Sequence, residues 1–333
     1  MTDWRTSRIP PMLASPGSPF DSDDYLFEIK WDGIRALAFF GNGLARLQGR
    51  KLTDSSERYP EILVGLEALH GEGILDGEIV VLDEEGRPDF QRVLVREQTR
   101  GRAAARAKAR AHPVVYIAFD LLCRDGESLL ERPLVERRRL LSELLANAPS
   151  PIVESAFVIG RGKALFGEAK ERGLEGIFAK RLDSRYLPGE RTRDWLKLKV
   201  RREVDAVLVG LVRERGGKRI KSLVLGCPRE GKLVWIGNAG SGIDQTTLKD
   251  LETALDGLRS MPPPGFEAEA PGEIDWLAPR LVVRVEYTGL TKERRLRHPV
   301  FVGFVDKRPE ECLAPEVREE AEKGIGRQEG MGR

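Results

Sequence analysis

The second half of the chain constrains the fold most, because short apolar runs alternate there with glycine-containing turns. Three runs rich in valine, leucine and isoleucine occur at residues 206–213, 220–227 and 232–237. Runs of this composition predict β-strands, and their close spacing predicts an antiparallel meander. We predict a helix at 246–258 and, after a proline-rich segment, a last strand at 281–287. About five strands with one helix predict a small β-barrel.

In the first half, strands and helices alternate irregularly. Gly41-Asn42-Gly43 is typical of a hairpin turn, and Pro60 of the first position of a helix. We predict strands at residues 25–29, 36–40, 44–47, 73–82, 114–121 and 196–200. We predict helices at residues 60–69, 133–148 and 165–172. The pattern predicts an α+β chain, with a first domain at 1–200, a second at 201–315 and a polar tail at 316–333.

Length and composition exclude several classes of protein. A chain of 333 residues suits two domains, and its formal net charge of +2 does not select a class of partner. The three cysteines are isolated and show neither a metal-ligand spacing nor a disulfide framework. The N-terminus has no apolar signal core, and the longest apolar run, at residues 114–123, is too short to span a bilayer. We therefore expect a soluble cytoplasmic protein with no membrane association.

One segment is strongly basic although the whole chain is not. Residues 92–112 contain six arginines and one lysine but only one acid, Glu97. These cations form two sets, and within each set they recur every four residues. If the segment is helical, this spacing places them along one flank of the helix. A solvated helix face and a surface that follows nucleic-acid phosphates are both compatible with this pattern.

Lys30 and the five residues after it form the most informative motif. The lysine ends an apolar run, and Asp32, Gly33 and Arg35 follow it. A lysine at the end of a buried strand can lose its proton and attack phosphorus, since desolvation favours the neutral amine. The glycine permits a tight turn, and the arginine offers a planar fork for phosphate or ribose oxygens. Alone, the motif is equally compatible with a solvated strand end.

Four further segments add groups that suit a bound nucleotide. Asp76-Gly77-Glu78 and Phe119-Asp120 each lie in an apolar strand, Glu175-Gly176 precedes another, and Lys197 and Lys199 share a strand face. Carboxylates at strand ends can hold Mg²⁺ or accept hydrogen bonds from ribose, an aromatic ring can stack on a base, and paired lysines can face a triphosphate. Each segment alone is more often structural.

Together and in this order, the motifs resemble those of ATP-dependent DNA ligases of the nucleotidyltransferase superfamily, and most of all the ligase module of bacterial end-joining ligases. The resemblance covers residues 10–315 and includes Arg-Tyr-Pro-Glu-Ile at 58–62, residues 186–191 and residues 237–242. It implies an adenylyltransferase domain, with ATP-grasp-like mixed antiparallel sheets and helices, followed by a small OB-fold β-barrel.

The resemblance also implies a reaction with three steps. Lys30 attacks the α-phosphorus of ATP and becomes a lysine-AMP adduct. The AMP then passes to the 5′-phosphate at a nick in duplex DNA, and the 3′-hydroxyl attacks that phosphate and releases AMP. Mg²⁺ or Mn²⁺ is the implied metal, and DNA repair or end joining the implied process. We expect a monomer that associates with the nucleoid.

Site residues follow from the same resemblance, position by position. Phe119 is expected to stack on adenine, with Glu28 near the amino group of the base. The cations expected at ribose, at the α-phosphate or at the DNA 5′-phosphate are Arg35, Arg50, Arg191, Lys197 and Lys199. Glu78 and Glu175 are the expected ribose and metal carboxylates.

The final motif of the family departs from its usual form, Arg-x-Asp-Lys. Asp306 and Lys307 are present, but Phe304 stands where the arginine is expected, or Val305 if one residue has been deleted, and Arg308 is the nearest substitute. We expect slow self-adenylylation and faster sealing of nicks that already carry AMP. The resemblance shows no additional DNA-encircling domain, so we also expect modest, salt-sensitive DNA affinity and recruitment by a Ku-like end-binding protein or a separate polymerase.

Two alternative functions remain compatible with parts of the pattern. RNA-capping guanylyltransferases share the lysine motif, the lysine pair and the barrel, although Arg-Tyr-Pro-Glu-Ile and Ala-Phe-Asp-Leu-Leu favour a ligase. A non-catalytic DNA-end-binding module would explain the altered final motif but not the intact lysines and glutamates. A Walker-type ATPase is excluded, because residues 160–163 lack the upstream glycine and the following serine or threonine.

Overall fold

The computed structural model describes residues 8–214, 220–244, 257–269, 273–291 and 293–315. The chain divides into two compact units, with the boundary between Val200 and Arg201. The helix predicted at 246–258 falls almost entirely outside the described residues, and the polar tail at 316–333 lies wholly outside them. No helix among the described residues is long and apolar enough to cross a membrane.

Unit 1 combines eleven described strands with five helices. The strands are β1 (Leu13–Pro16), β2 (Tyr25–Ile29), β3 (Ile34–Gly41), β4 (Leu44–Gly49), β5 (Gly73–Val80), β6 (Val115–Arg124), β7 (Glu127–Ser128), β8 (Ile152–Glu154), β9 (Phe157–Ile159), β10 (Gly176–Arg181) and β11 (Arg191–Lys199). The helices are α1 (Pro60–Glu67), α2 (Phe90–Gln98), α3 (Arg102–Ala111), α4 (Leu134–Leu145) and α5 (Gly162–Glu171). All the strands and helices predicted here are confirmed, with bounds shifted by a few residues.

These strands form two sheets. The first has the order β1-β11-β10-β2-β9, and the second has the order β4-β3-β5-β6-β7, with β8 parallel to β6. Alternate residues of β3 belong to different cores: Ala36, Ala38 and Phe40 pack with the helices, whereas Leu37 and Phe39 pack with Trp195 of the first sheet. The two sheets therefore share an apolar layer, and the chain crosses between them at residues 30–33.

The structure corrects the expectation of one basic flank at residues 92–112. Two helices, α2 and α3, occupy the segment, and the chain breaks between them at Gly101, whose φ of 84° lies in the left-handed region. Arg96 is fully buried and pairs with Glu61 at 2.5 Å, so it does not belong to an exposed row. The exposed cations of the segment are therefore concentrated on α3.

Unit 2 is a single antiparallel sheet with a short hairpin. Its strands are β12 (Arg202–Arg213), β13 (Ile220–Arg229), β14 (Lys232–Ala239), β15 (Ile274–Tyr287), β16 (Gly289–Leu290), β17 (Leu296–Arg297) and β18 (Val300–Val305). The order β14-β13-β12-β15-β18 confirms the predicted meander and adds β18, which the sequence did not reveal.

The barrel of unit 2 is only partly closed. Its edge strands, β14 and β18, come together through one bridge between Ser241 and Val300, where Phe301 N donates to Ser241 O at 2.9 Å. The predicted small OB-fold domain is confirmed, with a sheet that stays open along this edge, as is common for small Greek-key barrels.

Candidate active site

The segment that contains Lys30 is the link between the two sheets of unit 1. It leaves β2 after Ile29 and enters β3 at Ile34, and Lys30 N donates to Gly176 O at 2.9 Å. A Cβ on Gly33 would lie 2.3 Å from Ile79 O. The chain can cross this close to β5 only because residue 33 has no side chain.

Strand register places four of the ten predicted residues of unit 1 on or beside one face of the first sheet. Glu28 and Lys197 both lie opposite Phe178, and Lys180 lies opposite Trp195. Directly opposed residues share a face, as do alternate residues of one strand. That face therefore carries Glu28, Phe178, Lys180, Trp195, Lys197 and Lys199, and Lys30 follows at its edge.

Glu175 joins two of the predicted lysines. Its carboxylate forms an ion pair with Lys30 Nζ, and its Oε1 lies 2.8 Å from Lys199 Nζ. Burial acts to raise the pKa of Glu175, but the two lysines outweigh burial and hold the pKa below its ordinary value. A Cβ on Gly176, whose φ is 142°, would lie 2.1 Å from Leu198 O. Glycine after the glutamate therefore lets β10 approach β11 closely enough to bring Glu175 to both lysines.

Lys197 lies at the centre of a group of positive charges. Burial lowers its pKa, and the charges of Arg191, Lys199, Lys30 and Arg50 lower it further. Within the described part of the chain, the ammonium of Lys197 has no carboxylate partner. Four other predicted cations thus act on the charge of Lys197, and a polyphosphate would stabilise this unpaired ammonium.

Glu78 faces this group from the second sheet. It lies opposite Arg35 in the ladder between β3 and β5. Burial raises the pKa of Glu78 to about 8, although Lys30 and Arg35 act in the opposite direction. Its carboxyl group accepts no hydrogen bond from any residue that the structure describes. It therefore remains available to a ligand.

Arg35 is largely engaged by the protein itself. Its Nε and Nη2 donate to Asp76 at 3.0 and 2.6 Å, and its Nη1 donates to Met12 O at 2.7 Å. The hydroxyl of Tyr186 donates to the same carboxylate at 2.8 Å. This network fixes the guanidinium between the two sheets, and its role toward ribose or phosphate stays a prediction.

A β-bulge sets the position of Phe119. In the ladder between β5 and β6, Asp76 pairs with Asp120 and Gly77 with Ala118, so Phe119 has no opposite residue. Bulges of this kind redirect a side chain. The ring is 8% exposed, and Lys180 Nζ lies 4.0 Å from its centroid. An adenine stacked on this side of the ring would lie where the Lys180 ammonium now is.

Glu28 is buried and fully paired. Its Oε2 lies 3.0 Å from Arg138 Nη1, and its Oε1 lies 2.5 Å from Lys180 Nζ. Burial lowers the pKa of Lys180 even though Glu28 opposes this shift. Neither Lys180 nor Arg138 was among the predicted site residues. Strand alternation could have placed Lys180 on the same face as Glu28, but nothing in the sequence pairs Arg138 of α4 with β2.

The final motif lies in unit 2. Lys307 Nζ and Arg284 Nε lie 3.2 and 2.9 Å from the two oxygens of Asp205. Arg308 pairs with Glu311 at 2.9 Å, and Asp306 is exposed. Phe304 is 43% exposed on β18. The phenylalanine therefore stands on the surface, where an arginine side chain would be accommodated.

Family models identify the relationship. The model described as "ATP dependent DNA ligase domain" matches residues 11–199, which include every predicted site residue of unit 1. The chain belongs to the ATP-dependent DNA ligases. The model described as "ATP dependent DNA ligase C terminal region" matches residues 216–307. Family membership decides against the capping-enzyme interpretation and makes ATP the nucleotide.

Two of the similar proteins are larger than this chain. The chain is 36% identical over 313 residues to the multifunctional non-homologous end joining DNA repair protein LigD of Mycobacterium tuberculosis, covering 91% of this chain and 39% of that protein. It is 35% identical over 324 residues to LigD of Pseudomonas aeruginosa, covering 93% and 36%. The chain thus spans well under half the length of these LigD proteins.

Solved structures agree with this similarity. The crystal structure of the ligase domain from M. tuberculosis LigD is 35% identical, with a TM-score of 0.54 over 92% of this chain and 98% of that domain. A mycobacterial DNA ligase D complexed with ATP and MES matches equally well. A Lig E DNA ligase, at 15% identity and a TM-score of 0.58, shows the shared fold alone.

Proposed function

We propose that this chain seals nicks in duplex DNA through a covalent AMP adduct on Lys30. The observation that carries the proposal is the position of Lys30. Its ammonium contacts Glu175 at the edge of a sheet face whose other cations lack enough carboxylates to balance them. A triphosphate bound there would supply the missing negative charge and place the α-phosphorus beside the lysine.

In the first step, the lone pair of Lys30 Nζ forms a bond to the α-phosphorus and the bond to pyrophosphate breaks. The amine must lose its proton before it attacks. Glu175 holds the amine, and Lys197, Lys199, Arg191 and Arg50 are the groups that would stabilise charge on the phosphates. Phe119 and Glu28 remain our candidates for the adenine site, and the Lys180 ammonium would have to move from the Phe119 ring for the base to stack there.

The carboxylates also suit Mg²⁺. Mg²⁺ is commonly held by one or two protein carboxylates together with substrate phosphates. No group of three or more acidic, histidine or cysteine ligands occurs among the residues described, which fits such a shared site better than a site made by protein alone. Glu78, whose carboxyl has no protein partner, and Glu175 would hold the ion, which would neutralise phosphate charge.

In the later steps, AMP passes to the 5′-phosphate of the DNA and the 3′-hydroxyl displaces it. Arg50, which is exposed beside the cation group, is our candidate for contact with that phosphate. Work on chromosomal DNA would associate the protein with the nucleoid. Similarity to LigD proteins supports a role in end joining, with a Ku-like protein or a separate polymerase as the recruiting partner.

Mass spectrometry of the protein incubated with ATP and Mg²⁺ tests the proposal. We expect an AMP adduct on Lys30, absent in Lys30→Ala and present in Lys163→Ala, which removes an exposed lysine of α5. Lys30→Ala should no longer seal nicks with ATP but should still seal a nick whose 5′-phosphate already carries AMP. An adduct that persists in Lys30→Ala would reject Lys30 as the nucleophile.

A second comparison concerns the altered final motif. With Phe304 in place of arginine, we expect wild-type protein to form the adduct slowly and to seal AMP-bearing nicks faster than ordinary nicks. Equal sealing rates on ordinary and AMP-bearing nicks would contradict the expectation that the altered motif slows adduct formation.

A further inference from the structure

Helix α3 carries a charged surface that the proposed active site does not use. Its sequence alternates basic residues with alanine, and Arg102, Arg106, Lys108 and Arg110 are all exposed. Ala105 is the buried residue through which the helix packs on unit 1. The three arginines are spaced by four residues, so they form one row with steps of about 6 Å along the helix axis.

The cations of α3 lack the partners that other arginines of this chain have. None of the four side chains forms an ion pair or hydrogen bond with any residue in the described ranges. Helix α4 is the natural comparison, because it contains three consecutive arginines. Each of them has a carboxylate partner: Arg137 with Asp120, Arg138 with Glu28, and Arg139 with Glu143.

The charges of α3 destabilise one another when no anion is bound to the helix. Like charges four residues apart repel one another. Arg102 lies in the first turn, where the helix macrodipole is positive, and that turn contains no acidic residue. A row of negative charge along the outside of α3 would relieve both effects. Lys108 and Arg110 lie in the last turn, where the macrodipole favours cations, so an anionic ligand would relieve the repulsion along the row and the unfavourable position of Arg102.

The geometry favours an extended polyanion over a small one. A cavity of about 600 Å³ beside α3 is lined by arginines, but the carboxylates of Asp54 and Glu57 line it too. These acids oppose a small anion inside the cavity. They do not form ion pairs with the α3 row in the part of the chain that the structure describes. Arg102 and Arg106 line one side of this cavity, and Arg110 continues the row beyond it. The row of positive charge is therefore longer than the cavity.

We propose that Arg102, Arg106 and Arg110 bind the phosphate backbone of the duplex DNA flanking the nick. The inference rests on the proposed function, because that function supplies the DNA. A duplex presents closely spaced phosphates, and arginines that neutralise them release counterions from the DNA. Such contacts position the duplex without reading its sequence. With a net charge of only +2, the chain cannot achieve this through its overall charge.

Salt-dependent binding of a nicked duplex, measured by fluorescence anisotropy, tests the inference. The variant is Arg102→Ala, Arg106→Ala and Arg110→Ala. The matched control removes the same charge from exposed positions of α5 and its C-cap, through Lys163→Ala and Lys170→Ala in the helix and Arg172→Ala at the cap. We expect the slope of log affinity against log salt to fall by about 2 to 3 for the α3 variant. The control should keep the wild-type slope.

A charge-preserving triple variant, with lysine at the same three positions, should retain most of the slope, since lysine also neutralises phosphate. An unchanged slope in the alanine variant would overturn the inference and would leave an acidic protein as the alternative partner. An equal loss in the α5 control would overturn it as well, because the effect would then reflect general charge.

Two further measurements separate this inference from the proposed function and from misfolding. Adduct formation on Lys30 requires no DNA, so the α3 alanine variant should form it at the wild-type rate. Failure of wild-type protein to form the adduct would reject the proposed function, while the binding data would still decide the role of α3. Alanine is the best helix former, so the variant should melt no lower than wild type. A lower melting temperature would make the arginines structural and overturn the inference.

Discussion

Replacing Gly33 with alanine tests whether close approach between the Lys30 segment and β5 sets the reactive geometry. The added Cβ would lie 2.3 Å from Ile79 O, 2.8 Å from Val80 Cγ1 and 2.9 Å from Glu78 Cγ. Ordinary contacts begin at 3.4 Å, so the chain must shift by about 1.1 Å to accept the methyl group. The nearest atom is backbone, so a side-chain rotation cannot relieve the clash.

This displacement gives two magnitudes. Overpacking of a well-packed site costs about 1–3 kcal/mol of stability. A displacement of about 1 Å in a reacting group can cost about 10²-fold in rate. Because the glycine is three residues from Lys30 and its new methyl group also contacts Glu78, we expect adduct formation to slow by about 10²-fold, a larger effect than the loss of stability alone implies.

The assay is the rate of Lys30 adduct formation with labelled ATP, together with urea unfolding of the same samples. Gly167→Ala is the control, because nothing lies within 4 Å of its added Cβ and its position in α5 favours alanine by about 0.5–1 kcal/mol. The control should keep its rate and gain stability. If Gly33→Ala forms the adduct within twofold of wild type, the argument from close approach is refuted.

Three other perturbations follow from the structure. Asp120→Asn leaves the fully buried Arg137 without its counter-charge and should cost about 3–5 kcal/mol in urea unfolding; a loss below about 1 kcal/mol would contradict a buried ion pair. The pKa of Glu78 is raised from 4.5 to about 8, so its carboxyl group binds a proton more tightly in the folded than in the unfolded state. The folded state therefore loses stability as pH rises from 4.5 through 8. Without nucleotide or metal, Glu78→Gln should therefore gain melting temperature relative to wild type across that range, and parallel pH profiles would argue against it. Phe304→Arg restores the usual spacing of the final motif and should speed adduct formation by roughly tenfold, because a positioned cation stabilises the transferring phosphate. Sealing of AMP-bearing nicks should be unchanged. Faster adduct formation together with faster sealing of AMP-bearing nicks would point to a general charge effect.

Local signals predicted most of the fold. The β3–β4 hairpin was predictable because Asn42 and Gly43 adopt positive φ angles, 53° and 69°, that two-residue turns require. The start of α1 at Pro60 follows equally from a residue that fits the first helical position. In both cases the determining interaction lies within a few residues of chain.

Features that depend on distant partners were predicted poorly. Strand β18 has little alternation of its own and is defined by pairing with β15. The burial of Arg96 depends on Glu61, 35 residues away. The bulge at Phe119 exists only in relation to β5. None of these interactions leaves a periodic pattern in the segment itself.

The sequence by itself determined the chemical groups of the candidate site and their order, because a lysine at the end of an apolar run, its turn glycine and the downstream lysine pair are properties of short segments. Only the tertiary structure decided which charges neutralise one another. Glu28 pairs with Arg138, 110 residues away, whereas Lys197 and the α3 cations are left without protein carboxylates in the described chain. The physical reason is distance: electrostatic pairing depends on separation in space, which the order of residues does not fix.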